Sequence, residues 1–121
     1  MFFRKKEKKV EEAEKTASRS VDEINEEIIQ CREDIKSGIN SNNKLANLYI
    51  ELGDIDAAIK ILEEVLEKDK TLGKNFNDLM KCYNMKRKEA AFEKDDVKIQ
   101  LYLDKIDALL KLQKDVIRGR V

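Results

Sequence analysis

The chain contains no histidine, no proline and no tryptophan. Without histidine there is no Ser-His-Asp or Cys-His nucleophile system, no imidazole general base, no HExxH zinc site and no Glu-x-x-His di-iron site. Without proline, no residue lacks the backbone N–H that helix propagation needs. Long apolar runs are missing as well. None exceeds three residues, so neither a transmembrane helix nor a signal-peptide core is expected. The only two cysteines, Cys31 and Cys82, form no CxxC and cannot complete a four-ligand zinc site without histidine. They are expected as buried apolar thiols in a reducing compartment rather than as a disulfide, which points to a cytoplasmic protein.

What is present is charge, in balance, and helix-forming side chains. The 121 residues carry 25 Lys+Arg against 25 Asp+Glu, and 41% of them are apolar. A chain of this length makes one domain and buries about two-thirds of the surface it exposes when unfolded. Heavy use of Ala, Leu, Ile, Glu and Lys favours helix throughout. Gly38, Gly53 and Gly73 follow or separate periodic segments, where a helix end takes a residue free to adopt positive φ. Ser20 with Glu23 fits a capping box, and Ser41, Asp54, Thr71 and Asp95 fit simpler N-caps.

Between these marks the apolar residues recur at helical spacing, not in alternation. The runs are Val21, Ile24, Ile28, Cys31, Ile35; then Leu45, Leu48, Tyr49, Leu52; then Ile55, Ala58, Ile59, Leu62, Val65, Leu66. Two more follow: Phe76, Leu79, Met80, Tyr83, Ala90, Ala91, and Ile99, Leu103, Ile106, Leu109, Leu110, Val116, Ile117. Five helices are expected, near 21–37, 42–52, 55–69, 73–93 and 96–118, in an all-α domain spanning 20–121. Residues 1–19 hold only Val10, Ala13 and Ala17 as periodic apolar positions among Lys and Glu, which reads as a charged N-terminal arm, frayed or disordered.

An internal repeat is present. A 34-residue shift lays Val21 on Ile55, Ile28 on Leu62, Cys31 on Val65, Leu45 on Leu79, Ala46 on Met80 and Tyr49 on Tyr83. The last helix aligns with the third at a shift of 41, with Asp54 on Asp95 and Leu62 on Leu103; the extra seven residues are two helical turns and keep the buried face in phase. Phe76, Leu79, Met80 and Tyr83 stand at the W-x2-L-G-x2-Y spacing of the tetratricopeptide repeat, and Asn42, Leu45, Ala46 and Tyr49 take the same places one period earlier. Gly53 and Ala58 occupy the intra-repeat turn and the second helix. The chain therefore resembles the tetratricopeptide repeat family over one good repeat, one lengthened repeat and a leading half-repeat at 20–38. It departs at Asn42, Leu62, Lys70 and the large Met80. The resemblance implies a short right-handed helical solenoid of antiparallel helix pairs, with Tyr49 and Tyr83 serving packing.

It also implies a concave face lined by the first helix of each repeat, here Asn40, Asn43, Asn47 and Ile50, then Lys74, Asn77, Lys81 and Asn84. Asparagine is a mediocre helix former, yet five line this strip. An amide can donate to and accept from a peptide backbone, and lysine can meet a carboxylate. The alternative for each is ordinary solvation of an exposed face or a place near a helix start, and it suits Asn40 and Asn43 better than Asn47, Asn77 or Lys81. The groove expected to hold a partner peptide or helix is Asn43, Asn47, Lys74, Asn77, Lys81 and Asn84. The last helix carries a second apolar stripe, Leu101, Ala108 and Leu112, to be covered either by the N-terminal arm or by another subunit, as in a homodimer, unless it is a scatter of single exposed residues.

Other chemistries find less. Residues 73–121 hold twelve basic and eight acidic residues and residues 39–72 four against seven, short of the stripe a nucleic-acid partner needs. Met1-Phe2-Phe3-Arg4-Lys5-Lys6 with Lys8 and Lys9 could touch an anionic membrane, but Glu7 and the following acids favour a solubilising tail. No glycine-rich loop remains for phosphate, and no acidic pair has calcium-loop spacing. The expected function is a non-enzymatic protein–protein interaction module without catalytic residues, metal or cofactor. The alternative is a structural assembly subunit that self-associates through its long C-terminal helices.

Overall fold

The computed structural model describes residues 19–119. Apart from Arg19, the expected arm over 1–19, with its basic cluster at 1–9, lies outside the described residues. Five helices and no strand are found among those described: α1 (Val21–Lys36), α2 (Asn42–Leu52), α3 (Ile55–Lys68), α4 (Lys74–Phe92) and α5 (Asp96–Ile117). The fold is all-α, and each boundary falls within one residue of the periodicity. No helix among the described residues is long and apolar enough to cross a membrane.

The helix ends follow local chemistry. Ser20 and Glu23 make the reciprocal capping box of α1, while the side chains of Asp54 and Asp95 accept from Ala57 N and Lys98 N to cap α3 and α5. Ser41 occupies the N-cap of α2 without a side-chain bond. Thr71 does not cap α4. The helix starts at Lys74 with Gly73 as its N-cap, at φ −158°, so Gly73 opens a helix instead of closing one. Gly38 and Gly53 do take the left-handed conformation expected of them, at φ +93° and +88°. The turn after α4 has no glycine: Lys94 sits at φ +57° instead.

The substantial helix–helix contacts join chain neighbours, α1 to α2, α2 to α3, α3 to α4 and α4 to α5. Two apolar clusters result. Ile24, Ile28 and Cys31 of α1 close on Leu45 and Leu48 of α2. Ala46, Ala58, Ile59, Leu62, Leu66, Phe76, Leu79, Cys82, Tyr83 and Leu109 form the larger one, and Tyr49 and Ile61 border both. Ala46 and Ala58 are fully buried at the α2–α3 crossing, where a methyl group is all that two close backbones leave room for. Cys31 and Cys82 are buried free thiols in separate clusters. Burial, then the nearby Asp78 charge, pushes the Cys82 thiol up to about 11.

Several apolar residues assigned to the inner face stand outside. Val21, on the first turn of α1, is exposed, as are Leu103, Leu110 and Ile117 of α5. The cause is the same. Each lies at an end of the helix series, where the single neighbouring helix covers one stripe and leaves the flank open. α4 and α5, 19 and 22 residues long, each exceed their counterparts α2 and α3, 11 and 14 residues, by eight. That difference carries Phe92 and Val97, both exposed, to the far end of the second hairpin.

Candidate functional site

The asparagine strip folds into a polar cluster between α2 and α4. Asn43 Nδ2 donates to Asn75 Oδ1 at 2.7 Å and to Asp78 Oδ2 at 3.0 Å. Asn47 Nδ2 donates to the same Asp78 oxygen at 3.1 Å, to Asn43 Oδ1 at 3.1 Å and to the Asn43 carbonyl at 2.8 Å. Lys74 lies 3.6 Å from Asp78 Oδ2. Burial pushes the Asp78 carboxyl up, but the hydrogen bonds from Asn47 and Asn43 and the Lys74 charge outweigh it and hold the group below its ordinary value. In the sequence nothing sets Asp78 apart from the other carboxylates on helix surfaces. It is the acceptor on which the strip is organised.

The six expected groove residues therefore divide. Asn43 and Asn47 are half-buried and turned inward, and Asn84 is half-buried with its amide donating to the Met80 carbonyl. Lys74, Asn77 and Lys81 are exposed along one edge of α4, at the i, i+3, i+7 spacing that gathers side chains on one face.

A larger concavity lies beside this cluster, sharing Asn75 with it. The C-terminal turns of α1 and α3 and the first turn of α2 enclose a cleft of about 620 Å³. Ile35, Leu45, Ile61 and Val65 form its apolar surface, Asn40, Asn42 and Asn75 supply amides, and Arg32, Lys36, Lys68, Glu64 and Asp69 complete the lining with charge. Arg32 is held in place: its guanidinium lies 5.7 Å from the Tyr49 ring centroid and donates to the Tyr49 hydroxyl. No local motif marks the cleft in the sequence, because it is assembled from four separate segments.

Both tyrosines pack between helices, Tyr49 at the border of the two apolar clusters and Tyr83 within the larger one. Tyr83 is buried, with its hydroxyl donating to Glu63, and burial followed by that carboxylate raises its pKa well above the ordinary phenol value. Lys105 of α5 also reaches Glu63, at 3.1 Å, and lies 5.6 Å from the Tyr83 ring centroid. At the other end Arg19 clamps Glu51 with two hydrogen bonds, 3.0 and 2.8 Å, and pairs with Glu27. The stripe expected to serve self-association is split: Leu101 and Ala108 are exposed, whereas Leu112 packs against the main core.

Among the described residues no group of three or more His, Cys, Asp or Glu side chains is placed to hold a metal ion. In comparison with known proteins, no family model matches the chain, and no curated protein or solved structure matches it either.

Proposed function

We propose that this chain is a non-enzymatic, cytoplasmic protein-interaction module, a short tetratricopeptide-like solenoid that holds a peptide or helix of a partner in the cleft between α1, α2 and α3. The cleft carries the reading. Binding sites draw affinity from apolar side chains that leave water and orientation from a few polar groups, and this one combines four aliphatic residues with three amides and a basic-leaning rim. Its ligand class is a segment with one or two apolar anchors and adjacent acidic residues. The solenoid reading is supported by contacts between chain neighbours, by buried Ala46 and Ala58 at the repeat crossing, and by left-handed Gly53 at the intra-repeat turn.

The edge of α4 contributes less. Asn43 and Asn47 would have to abandon Asp78 to meet a ligand, so only Lys74, Asn77 and Lys81 stand ready there. Affinity capture from host lysate with quantitative mass spectrometry separates the two surfaces. The variants are Lys36→Glu/Lys68→Glu for the cleft and Asn77→Ala/Lys81→Glu for the strip, four exposed positions whose folding circular dichroism verifies. Partners lost only with the cleft variant support the assignment. Partners lost only with the strip variant move the site to α4. Identical capture by all three proteins overturns both.

A further inference from the structure

The open flank of α5 points to a second copy of this chain. Leu103, Leu110 and Ile117, 38%, 41% and 71% exposed, stand seven residues apart on this flank, while Ile106 packs inward against the main core. The spacing is that of one position of a coiled-coil heptad, repeated three times. The opposite flank of α5 is already engaged, through Lys105 on Glu63 and Leu112 on the core. Scattered single apolar residues need no partner, but a stripe from Leu103 to Ile117 on one flank is the kind of surface that marks an interaction site.

The charges bordering the seam choose the occupant and its direction. Along α5, Asp96, Asp104 and Asp107 precede Lys111, Lys114 and Arg118; with Lys98, Lys105 and Asp115 counted, residues 96–107 are still net negative and residues 111–118 net positive, and Lys105 is engaged by Glu63. A helix with that polarity is complementary to its own reverse. We propose that α5 pairs antiparallel with α5 of a second copy about a two-fold axis beside Leu110. Leu103 of each copy then packs near Ile117 of the other, Leu110 meets Leu110, and Asp107 faces Lys114 twice by symmetry. In a parallel pair Asp107 of one copy and Lys114 of the other would lie on opposite sides of the seam and this pairing would be lost. With the axis there the helices overlap from Leu103 to Ile117, about 22 Å at 1.5 Å per residue, and one helix pair of that length makes an interface at or below the small end of the stable range. The dimer is accordingly concentration-dependent. This inference stands apart from the cleft, which lies on α1–α3 and stays open in the pair.

Sedimentation equilibrium across roughly 1 µM to 1 mM protein tests it. Wild type is expected to pass from monomer to dimer. Lys114→Glu and Asp107→Lys, both at exposed positions, should each weaken association by about tenfold, and the combined Asp107→Lys/Lys114→Glu protein should recover it, since the reversed pair attracts again. Leu110→Cys should give a disulfide-linked dimer on mild oxidation, because residue 110 alone meets its own copy, while Cys31 and Cys82 are buried. A wild-type monomer throughout the range overturns the proposal. So does a dimer indifferent to the charge changes, or one in which the double reversal is weaker than either single.

Discussion

Replacing Asp78 by alanine removes the acceptor that both Asn43 and Asn47 use, and the consequence follows from the geometry. The Asp78 side chain is 16% exposed. Two half-buried amides lose a charged partner, each such loss costing about 1–3 kcal/mol when no substitute acceptor is near. Water reaches part of this edge and alanine is the better helix former by up to roughly 0.7 kcal/mol, so a net loss of about 1–2 kcal/mol is expected. For a domain of this size that lowers Tm by roughly 4–16 °C. The Lys74 contact adds little, because lysine is 70% exposed and solvent screens the pair. A double-mutant cycle with Asn47→Ala in urea isolates the hydrogen bond, with a coupling of about 0.5–1.5 kcal/mol expected. Because the folded carboxyl lies below its ordinary value, its contribution is present above that value and lost as the pH falls through the lowered one. The gap between wild type and Asp78→Asn should therefore be widest near neutrality and close in strong acid. Additive single variants, or a gap that widens on acidification, would refute the reasoning.

Other perturbations probe the helix scaffold. Leu62→Ala empties a fully buried site in the main cluster and should cost about 2–5 kcal/mol in chemical denaturation. Gly53→Ala would meet nothing within 4 Å of its new Cβ, yet φ of +88° should still cost about 1–2 kcal/mol, a strain without a clash. Lys94→Gly, at φ +57°, should go the other way and raise stability by up to about 1 kcal/mol. With Cys82 pushed to about 11 and Cys31 buried, a thiol reagent at neutral pH should titrate neither in the native protein and both after denaturation. Rapid native labelling would contradict that burial.

The helices were legible because one sequence signal fixes each: 3.6-residue spacing, a capping side chain, or a glycine free to turn left-handed. The capping box at Ser20 and Glu23 is such a local fact. Errors arose where the outcome depended on a neighbour. Gly73 suits either end of a helix by its sequence alone, and the structure makes it the N-cap of α4. Leu103, Leu110 and Ile117 share the spacing of Leu109, and spacing cannot say which stripe meets α4. The strip was recognised as unusual in its asparagines, but amide side chains bond inward or outward equally well. Asp78, 31 residues from Asn47, turned them inward. The cleft joins segments from Arg32 to Asn75, a coincidence of packing that no local pattern announces.

The cleft assignment is tested most directly by selecting displayed random peptides on the wild-type domain, with parallel selection on Lys36→Glu/Lys68→Glu. The expected result is enrichment on wild type of peptides that place acidic residues beside aliphatic or aromatic anchors, and loss of that enrichment on the variant. Equal enrichment on both proteins, or none on the folded wild type, would contradict the claim that this cleft holds a partner's peptide.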